Sequence, residues 1–212
     1  SRGLGDVYKR QVILSDFAVA NGGAPKVAIE SALALADAGV EVVFLHAIEG
    51  ADGSLDHPSI RRVALGLKDV WELSPVKGAV SGVWNRAAAR RLAGLLAPWR
   101  SGGDTVLHLH QWTRAFSPSI LKVLLASGMP LAVTAHDYFL GCPNGVYYRF
   151  EREAPCALAP LSLVCVAARC DPRSFAHKAV RVARSFATRG AIAGKDFDVV
   201  HVSDRGRDTL TR

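Results

Sequence analysis

Val12-Ile13-Leu14-Ser15-Asp16-Phe17-Ala18 leads into Asn21-Gly22-Gly23-Ala24-Pro25-Lys26, and an Ala- and Leu-rich stretch then runs to Gly39 before Glu41-Val42-Val43-Phe44-Leu45. An apolar run, a glycine pair, a helical stretch and a second apolar run spell strand, turn, helix, strand. Lys26, Glu30 and Asp37 fall within roughly 40° of one another at 100° per residue, so helix 25–38 has one narrow solvated face and can bury the rest. Pro25 suits the first helical position, where a missing N–H costs nothing, and Gly39 supplies a left-handed stop.

The same alternation continues outward. Strands are predicted at 12–18, 41–47, 61–65, 104–111, 130–136 and 197–203, with further helices at 84–99, 116–126 and 177–188. This order predicts an α/β, Rossmann-like domain: a mostly parallel sheet with helices on both faces. On helix 84–99, Trp84, Ala88, Leu92, Leu95 and Trp99 form the apolar stripe, and Arg86, Arg90 and Arg100 face away. On helix 177–188, Ala179, Ala183 and Phe186 are expected inward, and Lys178, Arg181 and Arg184 outward. Two segments fall outside the alternation: the polar loop Gly50–Pro58, and Gly141–Pro172, which holds all four cysteines. A loop as long as the second is usually functional or tied down.

Half of the 212 residues are apolar, which excludes disorder and provides a sizeable core. The longest apolar stretches, such as Val42–Leu45 and Pro130–Ala135, fall far short of the roughly 20 residues a spanning helix needs. Ser1–Gln11 has neither the order of a secretion signal nor an amphipathic period, and is read as a foreign or truncated leader to a domain at 12–212. A net charge of +7, from 26 Lys and Arg against 19 Asp and Glu, favours anionic partners: nucleotide phosphates, acidic lipid surfaces or nucleic acid.

Three clusters can carry chemistry. In the first, Gly22 and Gly23 let the backbone approach a ligand, and the free N–H groups of the helix start favour an anion such as phosphate, with Lys26 close by. The other reading of this cluster is a tight turn that merely needs glycine. The spacing is neither G-x-G-x-x-G nor a Walker P-loop. The second cluster is His108-Leu109-His110 at a strand's carboxyl end, where the two imidazoles share a face; core histidines bonded to backbone outweigh a metal between them. The third is Thr134-Ala135-His136-Asp137-Tyr138. Here imidazole and carboxylate together can bind sugar hydroxyls, or His136 can serve as a general base, or the polarity simply shapes a loop. Cys142, Cys156, Cys165 and Cys170 match no standard zinc finger or ribbon. Either they hold a structural zinc that stabilises the long loop, or they stay unlinked or partly paired.

Taken together, Asn21-Gly22-Gly23 with Gly39-Val40-Glu41-Val42, Val106-Leu107-His108-Leu109-His110, Thr134-Ala135-His136-Asp137-Tyr138 and Cys142-Pro143-Asn144-Gly145 resemble the N-terminal, acceptor-side domain of family 4 glycosyltransferases, over roughly residues 12 to 210. The segment Phe197–Ser203 looks like that family's late strand. The resemblance implies half of a GT-B fold in which Gly22 and Gly23 approach the diphosphate of a nucleotide-sugar donor. His136 then contacts the transferred sugar as the catalytic residue, and Lys26, His110 and Asp137 line the substrate. It also implies a retaining hexosyltransferase that needs no metal or other cofactor for catalysis. The implied acceptor is a carbohydrate or lipid-linked molecule of cell envelope polysaccharide synthesis. The expected location is the cytoplasm, with peripheral contact to an anionic inner membrane. The family's C-terminal donor-binding domain is missing from these 212 residues, so the chain alone is expected not to transfer sugar. Two other readings compete. One is a nucleotide-sugar epimerase of the same fold. The other is a non-catalytic module that contacts nucleic acid through Arg86, Arg90, Arg181 and Arg184; it lacks interleaved stacking aromatics, so no nucleic acid is expected.

Overall fold

Six strands line up in parallel. The structure, a computed structural model, describes residues 9–50 and 52–211. In chain order the elements are β1 (Arg10–Ser15), α1 (Gly23–Asp37), β2 (Glu41–Ile48), β3 (Ile60–Leu67), α2 (Pro75–Val83), α3 (Arg86–Leu96), β4 (Thr105–Leu109), α4 (Ser119–Leu125) and β5 (Leu131–Ala135). They continue with β6 (Tyr148–Arg149), β7 (Ala154–Pro155), α5 (Leu163–Ala167), α6 (Phe175–Ile192), β8 (Asp198–His201) and α7 (Asp204–Leu210). The sheet order is β3-β2-β1-β4-β5-β8, and β6 and β7 form a separate antiparallel ribbon. This is a Rossmann-like α/β fold in which the strand order reverses at β1 and β4.

The alternation of side chains in the strands builds two cores. Val12 and Leu14 of β1 join Val43, Leu45, Leu107 and Leu109 beneath α3 and α4. Ile13, Val42 and Phe44 point to the other face and meet Ala28, Ile29 and Ala32 of α1. Helix α1 ends as its sequence predicts. Gly39 takes φ 84°, and the amides of Gly39 and Val40 return to the carbonyls of Ala36 and Leu35, which satisfies the last turn. β1 begins at Arg10, two residues ahead of the expected start, because Arg10 pairs with Glu41 at 2.8 Å and Gln11 reaches Nδ1 of His108 at 3.0 Å. The rest of the expected leader, residues 1–8, lies outside the described residues.

The prediction for helix 177–188 is reversed. Lys178 is buried, whereas Ala179 and Ala183 are exposed and Phe186 is 53% exposed. The cationic face turns inward because acceptors wait there: Sγ of Cys170 for Lys178, Asp171 for Arg181, and the Thr113 carbonyl for Arg184. Helix α2 escapes the sequence pattern because it packs through glycines, Gly78 and Gly82, rather than through an apolar stripe. Among the described residues no helix is long and apolar enough to cross a membrane. The two sheet edges differ: β3 shows Arg61 and Arg62 to solvent, and β8 shows Val199 and Val200.

A β-carbon on Gly78 would lie 2.5 Å from the Val70 carbonyl oxygen, whereas one on Gly94 of α3 meets nothing within 4 Å. Gly78→Ala is therefore expected to destabilise the fold by about 1–3 kcal/mol. Gly94→Ala is expected to stabilise it by up to about 1 kcal/mol, through helix propensity. Urea unfolding of the two variants checks both signs.

Candidate functional site

The carboxyl ends of β1, β4 and β5 open at one edge of the sheet, beside the reversal of strand order, where parallel α/β sheets form a crevice. Asp16 directly follows β1 and is fully buried. Its carboxylate accepts from three consecutive amides of the loop after β4: Arg114 at 2.8 Å, Ala115 at 2.9 Å and Phe116 at 3.1 Å. Burial pushes its pKa up, and the backbone hydrogen bonds oppose that. The sequence reading passed over Asp16, although an acid placed directly after Val12-Ile13-Leu14-Ser15 is a detectable signal. The same loop holds Ser117 at φ 75°, a conformation that an L-residue adopts only under constraint. It also holds Arg114, which forks onto the buried Asp69.

Gly22 and Gly23 follow β1 and start α1. Gly22 caps the helix without a side chain, at φ 175°, an extended conformation open to any residue. A β-carbon on Gly22 would touch only Pro25, at 3.9 Å, and one on Gly23 would meet nothing within 4 Å. Neither the turn nor the packing requires glycine here. The missing side chains instead leave the first amides of a 15-residue helix bare and exposed, as close approach of an anion needs. Lys26 lies on the exposed face of α1 with its ammonium 3.8 Å from Glu30.

The histidines form a chain. The ring of His108 lies 4.1 Å from that of His110, tilted by 42°, and Nε2 of His108 contacts the Thr134 hydroxyl at 2.7 Å. Nδ1 of His110 faces Nε2 of His136 at 3.1 Å, while Nε2 of His110 is buried without a partner. Orphaned buried N–H groups are rare, so the network assigns the shared proton to Nδ1 of His110, which leaves its Nε2 bare. His136 then accepts at Nε2 and carries its own proton on Nδ1. Burial lowers the pKa of all three rings: His108 to about 4 and His110 to about 2, each also repelled by its histidine neighbours, and His136 in the same direction. At neutral pH His136 is a neutral hydrogen-bond donor. Among the described residues no group of three His, Cys, Asp or Glu side chains is arranged to hold a metal ion.

Asp137 sits at the rim. It accepts from the Phe139 amide at 3.0 Å, and crowding by protein raises its pKa against the pull of Arg184. Arg184 comes from α6 and bonds the Thr113 carbonyl at 3.2 Å. Its pKa falls to about 10, mainly through burial, although Asp137 and Asp16 counter this. Next to it opens a recess of about 590 Å³, walled by Trp71, Val76 and Val80 on one side and by His177, Arg181 and Arg184 on the other. The structure thus brings His110, His136 and Asp137 together and adds Asp16 and Arg184.

No protein-family model matches the chain, and no curated protein does. Among solved structures it is similar to Os79 from O. sativa in complex with UDP, with 18% identity over 91% of this chain and 46% of that one and a TM-score of 0.51. LpCGTa in complex with UDP is 16% identical over 92% of this chain and 52% of that one, at a TM-score of 0.43. WbmH from Bordetella bronchiseptica in complex with NAD+ is 10% identical over 92% of this chain and 56% of that one, also at 0.43. The likeness to Os79 shows the fold. The chain spans about half the length of the structures it matches.

Two measurements probe this site. In Asp16→Asn the remaining carbonyl can serve Ala115 and Phe116, but an amide N–H₂ faces the Arg114 N–H; a loss of about 1–3 kcal/mol in urea unfolding is expected. The depressed histidines bind protons more readily when unfolded, so they lower stability as pH falls below about 6.5. His108 does so down to about 4 and His110 down to about 2, each by up to about 1.4 kcal/mol per pH unit. The raised carboxylates Asp16 and Asp137 act with the opposite sign, so the readout is a difference. The stability of His110→Gln should depend on pH less steeply than that of the unmodified chain between pH 6 and 4, by about one histidine's share.

Proposed function

We propose that this chain is the acceptor-side half of a GT-B glycosyltransferase that transfers a sugar from a nucleotide-sugar donor. The observation that supports this reading is that a glycine-backed helix start and a neutral histidine donor both follow strand carboxyl ends at one edge of a parallel sheet. The bare amides at Gly22 and Gly23 suit the donor diphosphate, whose charge grows as the nucleotide departs. His136 offers Nδ1–H to an oxygen of the sugar, held in that tautomer by His110. Asp137 is the hydroxyl acceptor beside it. A donor-binding C-terminal domain completes the cleft, and the reaction proceeds with retention and without a catalytic metal.

The acceptor occupies the recess between α2 and α6. Its apolar wall and paired guanidinium groups suit an acceptor with an apolar portion and an anionic group, as in a lipid-linked carbohydrate reached from an acidic cytoplasmic membrane surface. That chemistry fits a step in cell envelope polysaccharide synthesis. The nucleic-acid reading loses two of its four phosphate contacts, since Arg181 and Arg184 do not stand on a solvated helix face but line the recess, where they bond protein groups. An epimerase would share the donor half of this geometry but consume a nucleotide sugar without an acceptor.

UDP is the first probe. Added to the 212-residue chain, it should shift the amide resonances of Gly22, Gly23 and His136, and a UDP-sugar given to the same chain should not be turned over. Shifts confined to other surfaces, or turnover by this chain alone, would count against the assignment. In the two-domain enzyme His136→Ala should lower kcat by about 10²–10³-fold. His136→Asn, which places an N–H₂ near the former Nδ1, should recover part of it, and a general base would show no such recovery.

A further inference from the structure

Residues 141–172 wrap against α6 with only short elements, β6, β7 and α5, to support them. Their four cysteines are all unpaired, and Cys142, Cys165 and Cys170 are buried. They come from separate places: the turn after β5, the exit of β7, the middle of α5 and the approach to α6. Yet all four line one cavity of about 10 Å³, together with Tyr147 and Lys178. That is room for a single atom-sized guest.

Lys178 makes the chemistry specific. It is 1% exposed, its ammonium donates to Sγ of Cys170 at 2.9 Å, and among the described residues it has no carboxylate within ion-pair distance. A buried cation needs an anion beside it. Four neutral thiols provide none, and two disulfides would remove every candidate. A tetrathiolate metal centre supplies a net charge of −2 at the point where the ammonium is held.

We propose that Cys142, Cys156, Cys165 and Cys170 bind one zinc ion, with Lys178 neutralising part of the charge of the thiolates. Zinc replaces four thiol protons, Zn²⁺ + 4 RSH → Zn(SR)₄²⁻ + 4 H⁺, with no redox step. As placed, the sulfurs are not a ligand set, so side-chain rotations into the shared cavity bring them to about 2.3 Å from the metal. The site is structural and independent of the sugar-transfer reading. Its consequence for the crevice runs through Arg181, which bonds the Asn144 carbonyl at 3.2 Å and pairs with Asp171 at 3.2 Å. Asn144 lies two residues after Cys142, Asp171 directly follows Cys170, and Arg181 lines the recess.

The test is made on the full chain purified under reducing conditions. One zinc per chain is expected, released as an organomercurial titrates four thiols. Cobalt put in its place should show intense thiolate-to-metal absorption and a tetrahedral ligand-field band. Lys178→Met should keep the stoichiometry of one but weaken zinc affinity by about 10–100-fold. A chain that is metal-free after purification, gives no tetrathiolate cobalt spectrum and has four freely reactive thiols or two disulfides would overturn the proposal. If Lys178→Met does not fold, the cobalt spectrum of the unaltered chain still decides.

Discussion

One buried carboxylate ties the crevice together. β1 and β4 are neighbours whose chains leave the sheet toward opposite faces, and the rim between them keeps its shape while the loop after β4 is held to the end of β1. Asp16 does this by gripping three successive amides of that loop from the end of β1. Its burial is unfavourable for the charge and favourable for the geometry, and three charge-assisted hydrogen bonds hold the balance. Arg184 and Asp137 lie close enough to feel its field.

The sheet was legible from the sequence because strand burial leaves a direct trace. Each of the six predicted runs became a parallel strand, with ends displaced by a few residues, and Gly39 ended α1 for the stated reason. Pro25 is the third residue of a helix that begins at Gly23, not the first, and its missing N–H still costs nothing because first-turn amides have no partner within the helix. His110, His136 and Asp137 could be singled out as candidates because strand carboxyl ends are where ligands gather. Other features left no such trace. The period of α6 was detected but its direction was not, since a helix wheel shows which residues share a face and cannot show where acceptors lie. Lys178, Arg181 and Arg184 face inward only because the long cysteine-bearing loop and the loop after β4 supply partners. Helix α2 stayed hidden because glycine contacts carry no hydropathy signal.

That inversion shapes the chemistry of the whole upper edge. Three cations from one helix are divided among three tasks: one beside the thiols, one bracing the long loop, one between the crevice and the apolar recess. A site built this way takes its electrostatics from a rigid element instead of mobile surface side chains. The guanidinium of Arg184 is already desolvated before any anion arrives.

The unlike edges of the sheet bear on how the molecule behaves in concentrated solution. β3 is shielded by arginines, while β8 offers half-exposed valines beside backbone groups that bond β5 on one side only. Such an edge is a template for stacking copies end to end, and what keeps copies apart is mutual repulsion from a charge of +7. Added salt shortens the reach of that repulsion to about 8 Å at physiological strength. Colloidal stability should therefore hinge on ionic strength, with precipitation beginning along the valine rim.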